Sequence, residues 1–143
     1  MQRNVVVSVK GSFAVTGSGI PESPEVEVIT EGEYFEQGNL KCITYEEIDP
    51  QFPEPIRNII SINGQQVTMK KRGLINTDMT FRKNAEQITH YSTPYGNLIL
   101  GIKATDMYIW DTEDELFVNI DYSLSLNYNY SHNCKVSIQV QSR

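Results

Sequence analysis

At 143 residues the chain has the length of one compact domain and argues against a two-domain enzyme. Twelve basic against eighteen acidic residues leave a net charge of -6, and an acidic surface repels phosphate, so general binding to nucleic acid or an anionic membrane is not expected. Val, Ile, Thr, Tyr, Phe and Trp supply 50 of the 143 residues while alanine occurs three times, a balance that suits strands and disfavours helix.

The first strand is expected over about Asn4 to Gly17, where Val5, Val7, Val9, Phe13 and Val15 share one parity and Ser8, Lys10 and Ser12 the other. Gly17, Gly19, Pro21 and Pro24 then mark a turn, and a second strand runs from about Val26 to Tyr34. A turn at Gln37 to Asn39 leads into a third strand over about Leu40 to Glu47. The segment Asp49 to Pro55 breaks regular pairing, because proline lacks the ladder donor; it is either a lid over a mouth or a plain connection. Ile56 to Ile62, then Asn63-Gly64, then Gln65 to Arg72 reads as a hairpin with a type I' turn, which requires positive φ at both central residues.

Gly73 ends that hairpin, and further strands follow over about Leu74 to Phe81 and Gln87 to Tyr91, separated by the polar turn Arg82 to Ala85. Ser92 to Gly96 is a turn, and Asn97 to Trp110 a long strand with Leu98, Leu100 and Ile102 on one parity. The acidic turn Asp111 to Glu115 precedes the alternating Leu116, Val118, Ile120, Tyr122, Leu124 and Leu126, and the last strand holds Val136, Ile138 and Val140. Nine or ten long strands joined mostly by short turns predict an all-β chain with antiparallel meander topology: a single up-and-down β-barrel of about eight to ten strands over residues 1–143. Closure removes the apolar edges that such strands would otherwise expose.

The segment Tyr91-x-Thr93-Pro94-Tyr95-Gly96-x-Leu98-x-Leu100 is the most specific signature in the chain. With Tyr45-Glu46-Glu47 upstream, Gly73 and Phe81 between, and Ile120-x-Tyr122-x-Leu124 and Asn133 downstream, it resembles the YwiB-like family over roughly residues 5–140. The resemblance implies small bacterial proteins with a calycin-like, lipocalin-resembling β-barrel, and it implies no activity. The family pattern has an arginine two residues before Gly73, where this chain has Lys71. A planar bidentate donor is thus replaced by a point charge, so the resemblance carries no bidentate recognition of a carboxylate to this position.

The apolar run near the N-terminus, Val5 to Val7, is shorter than the roughly 7 to 15 residues of a signal-peptide core, and a cytoplasmic location is expected. Cys42 and Cys134 form no CxxC motif and read as two small core residues. His90 and His132 lack ligand spacing, Asp111 to Glu115 lacks the spaced oxygens and glycine of a calcium loop, and no metal or cofactor is expected. Nucleophile-elbow, P-loop and dinucleotide fingerprints do not occur, so a non-enzymatic protein is expected. Lys70, Lys71 and Arg72 with Arg82 and Lys83 form a basic cluster, which alternation splits between two faces.

The sharper reading comes from parity. If each strand's apolar set marks the interior, then Tyr45, Glu47, Lys71, His90 and Tyr122 point inward, and Lys71 and Glu47 must pair or meet water. These five are the candidate ligand-binding residues, orienting one small apolar or amphipathic molecule inside the barrel. The bland alternative places them at strand ends where a bulge has shifted parity. A second reading is an interaction module with a filled core, docking a protein partner or a second copy on outward Tyr108, Trp110 and Phe117, with Tyr128 and Tyr130 just beyond.

Overall fold

The computed structural model describes residues 2–11, 26–48, 50, 53–94, 96–128 and 131–143. Among them ten strands run in chain order: β1 (Gln2–Gly11), β2 (Val26–Gln37), β3 (Leu40–Glu47), β4 (Ile56–Asn63), β5 (Gln66–Arg72), β6 (Asn76–Phe81), β7 (Glu86–Thr93), β8 (Gly96–Asp111), β9 (Glu115–Leu126) and β10 (Ser131–Ser142). Every strand pairs antiparallel with its neighbour in sequence, and β1 pairs β10 to close the barrel. The expected all-β, up-and-down barrel is therefore the observed fold. No helix among the described residues is long and apolar enough to cross a membrane.

Period-two alternation builds the wall. Val5, Val7 and Val9 on β1, the Leu116 to Leu126 series on β9, and Val136, Ile138 and Val140 on β10 are all buried inside. Phe13, Val15 and the Gly17 to Pro24 turn lie outside the described residues. On β8 the inner set begins with Leu98, Leu100, Ile102 and Ala104, and a bulge between Ala104 and Asp106 then shifts the register. The shift turns Met107 and Ile109 inward and leaves Tyr108 and Trp110 exposed.

The β4–β5 hairpin forms, but with a different turn from the one expected. Asn63 pairs with Gln66, so the two-residue loop is Gly64-Gln65, and of these Gly64 alone has positive φ, at 61°. Glycine first with an ordinary residue second is the pattern of type II', not type I'. The β2–β3 loop repeats it, with Gly38 at φ 61° before Asn39.

Ten strands enclose a wider interior than eight, and large side chains fill it. Phe81 and Tyr122 meet edge to face with ring centroids 5.0 Å apart, among buried Ile43, Ile60, Met69, Met79, Ile120 and Leu124. Cys42 and Cys134 are both buried and neither is in a disulfide, and the Cys42 thiol lies 3.7 Å from the Ser61 hydroxyl.

Candidate functional site

The two ends of the barrel differ. At one end β1 begins, β10 finishes and the tight loops 38–39, 64–65 and 112–114 lie; at the other, the loop end, β3, β5, β7 and β9 finish. The terminal end is tied shut. Arg3 stacks over the Tyr34 ring at 4.9 Å and donates to the Glu113 carbonyl, Tyr34 donates to Glu36 at 2.6 Å, and Lys41 pairs with Asp111. A cavity of ≈ 10 Å³ between Arg3, Tyr34, Asp111 and Ser142 is about the room that one water needs.

The loop end carries a row of polar side chains inside an otherwise apolar wall. Tyr45 on β3 lies opposite Asn58 on β4, Asn58 opposite Lys71 on β5, Lys71 opposite Thr77 on β6, and Thr77 opposite Tyr91 on β7. Each occupies an inward position of its strand, as the burial of Ile43, Ile60, Met69 and Met79 one step along the same faces confirms. Asn58 is 3% exposed and Thr77 4%.

Glu47, two residues beyond Tyr45, closes the row. Lys71 Nζ donates to Glu47 Oε1 at 2.7 Å and to Asn58 Oδ1 at 3.0 Å, while Asn58 Nδ2 donates to the same Glu47 oxygen at 3.2 Å and to the Ile56 carbonyl. The Lys71 and Glu47 side chains are 12% and 25% exposed, so the pair sits below the rim but within reach of solvent. The Thr77 hydroxyl is buried and makes no hydrogen bond. Ile48 and Leu74, the residues that follow this end of β3 and Gly73, are 84% and 42% exposed. The end thus presents a polar floor beneath apolar residues of the adjoining connections.

Of the five residues expected to converge, Tyr45, Glu47 and Lys71 do so. His90 does not. The inner face of β7 carries Thr89 and Tyr91, and His90 faces outward and is exposed. Ile88 misleads because it is an outward apolar residue, 52% exposed, lying over Gly101, which has no side chain to fill that spot. Tyr122 is inward but lies in the core against Phe81, four residues along β6 from Thr77. Its hydroxyl has no oxygen or nitrogen partner and faces the Cys134 thiol across the β9–β10 ladder. Asn58, Thr77 and Tyr91 are members that the sequence reading passed over. Their signal was present, since Ile56-x-Asn58-x-Ile60 and Thr77-x-Met79-x-Phe81 each place a polar residue in an inward series.

On the outer wall Trp110 lies opposite Phe117, with ring centroids 5.4 Å apart, and Tyr108 is exposed one step along the same face. Tyr128 is exposed, while Tyr130 lies outside the described residues, as does the side chain of His132. No group of three or more His, Cys, Asp or Glu side chains placed to hold a metal ion occurs among the described residues.

Residues 7–138 match the family described as a domain of unknown function, DUF1934. The chain belongs to this family. Its fold matches the crystal structure of the ywiB protein from Bacillus subtilis with a TM-score of 0.79 and 17% sequence identity, over 99% of this chain and 93% of that one. The match shows the shared fold, and the chain is YwiB-like as its Tyr-x-Thr-Pro-Tyr-Gly segment implied. A comparison with curated proteins finds no match. Within that segment Tyr91 belongs to the polar row, the Thr93 hydroxyl donates to the Gly96 carbonyl at 3.0 Å, and Gly96 has φ 138°, a conformation that favours glycine. Tyr95 lies outside the described residues.

Burial holds the Tyr45 hydroxyl above the ordinary tyrosine value of 10.0, and the Glu47 charge pushes the same way. Burial raises Tyr122 likewise, with Cys134 adding to it. A raised value in the folded state means that the barrel favours neutral tyrosine, so this contribution is complete below pH 10 and is lost as pH climbs beyond it. Tyrosinate absorbance and far-ultraviolet circular dichroism followed together through an alkaline titration are expected to show Tyr45 and Tyr122 ionising only as the strands unfold. Full ionisation of all eight tyrosines in an intact barrel would contradict this.

Proposed function

We propose that the protein is a binding protein, without a catalytic reaction of its own, that takes one small amphipathic molecule at the loop end of the barrel. The observation that carries this reading is the row Tyr45, Asn58, Lys71 and Thr77 with Glu47 at its lip. It is a cluster of convergent hydrogen-bonding groups in an apolar surround, which is the composition of a site that orients a small molecule. A solid core could stand without it, and each buried polar group costs stability unless something satisfies it. The filled centre around Phe81 and Tyr122 favours the mouth over the interior as the place for a ligand. Exposed Ile48 and Leu74 supply apolar contact for its other half.

Native mass spectrometry of the purified protein beside its denatured mass tests the reading. A reproducible excess mass, lost on denaturation and reduced in Lys71→Met, is the expected result. A ligand retained in full by Lys71→Met would remove that residue from the site. The contact between Trp110 and Phe117 on the outer wall favours a second reading, in which that face docks a protein partner or a second copy. The same spectra test it: a dimer signal that Trp110→Ala abolishes, with no excess mass, would put the outer face first.

A further inference from the structure

Resting on the proposed binding role, we infer that the loop-end site selects an uncharged, hydroxyl-bearing head group, of the sugar or polyol class, over a carboxylate or an ammonium. Among the described residues the row brings together one cation and one anion, Lys71 and Glu47, at 2.7 Å, and Asn58 hydrogen-bonds both. An anionic head group brought to Lys71 would meet the Glu47 carboxylate, and a cationic one brought to Glu47 would meet the Lys71 ammonium. Either must share or break a pair that is largely withdrawn from water, where like charges repel most strongly.

A neutral hydroxyl meets no such opposition, because it can donate to one member and accept from the other. The second observation is independent of charge. Thr77 Oγ1 is buried beside Lys71 and has no hydrogen-bond partner, so it offers one donor and unused acceptor capacity within the row. A buried hydroxyl without a partner is an uncommon feature that calls for a reason, and a hydroxyl-bearing ligand supplies one. Tyr45 and Tyr91 flank the row at either end.

Three amphiphiles that share one tail test the head group directly: octyl glucoside, octanoate and octylammonium, titrated calorimetrically below their micelle-forming concentrations. The glucoside is expected to bind at least about tenfold more tightly than either charged homologue, and Thr77→Val is expected to weaken it by about tenfold, the scale of one lost hydrogen bond. Thr77→Val keeps the side-chain shape and removes an unsatisfied group, so its melting temperature should not fall, which separates lost binding from lost folding. Octanoate or octylammonium binding as tightly as the glucoside would overturn the inference and leave the binding role standing. Glucoside affinity unchanged by Thr77→Val would also overturn it. If none of the three binds, the inference and the binding role fall together.

Discussion

Phe81→Ala is expected to destabilise the barrel by about 3 to 5 kcal/mol, read as a lower urea midpoint at unchanged slope. Phe81 is fully buried, and its ring is the edge-to-face partner of Tyr122 at 5.0 Å. A closed wall cannot collapse onto the gap as a loosely packed helix can, because the ladders between β5 and β6 and between β8 and β9 fix the positions from which neighbours reach in. Most of the cavity therefore persists, and its cost adds to the lost transfer energy of the ring. Against a typical total of about 5 to 15 kcal/mol the loss is large enough to measure without ambiguity. Tyr122→Phe is the contrasting case. It keeps the ring contact and deletes a hydroxyl without an oxygen or nitrogen partner, so its midpoint should move little or rise. A loss below about 1 kcal/mol in Phe81→Ala would mean that the interior is loosely filled, and the placing of the ligand at the mouth would fail with it.

Lys71→Met is expected to cost about 2 kcal/mol of stability, less than the roughly 3 to 5 of a fully buried pair because Glu47 retains some solvent. The change leaves the Glu47 carboxylate and the Asn58 carbonyl oxygen without their shared ammonium donor. Adding Glu47→Gln to Lys71→Met should recover part of the loss, because the amide removes the stranded charge and can still accept from Asn58. Denaturant midpoints of the two single variants and the double variant give the coupling directly. Strict additivity would contradict the view that Glu47 and Lys71 act as one unit.

Much of the barrel was legible because alternation is a local property of the chain. Leu40 to Glu47 needed no adjustment as a strand, and the Leu116 to Leu126 series showed its inner face without help from tertiary structure. Two misreadings share a physical origin. Ile88 makes His90 look inward because one isoleucine mimics an apolar face, when it lies on the outer wall over the bare backbone of Gly101. Asn63-Gly64 suggested a type I' turn, but the register places Gly64 first in the loop, and one residue of slip changes the turn type. The polar row was legible residue by residue and illegible as a row. That Tyr45, Asn58, Lys71, Thr77 and Tyr91 stand side by side depends on four cross-strand registers, which follow from turn geometry and closure rather than from periodicity.

The most direct test of the loop-end site is an amide-resolved nuclear magnetic resonance map of the protein titrated with octyl glucoside. The largest shifts are expected at Tyr45, Glu47, Asn58, Lys71 and Thr77, extending to Ile48 and Leu74, with Trp110 and Phe117 unmoved. Shifts centred on Trp110 and Phe117, or spread through the core around Tyr122 with the loop end silent, would contradict it.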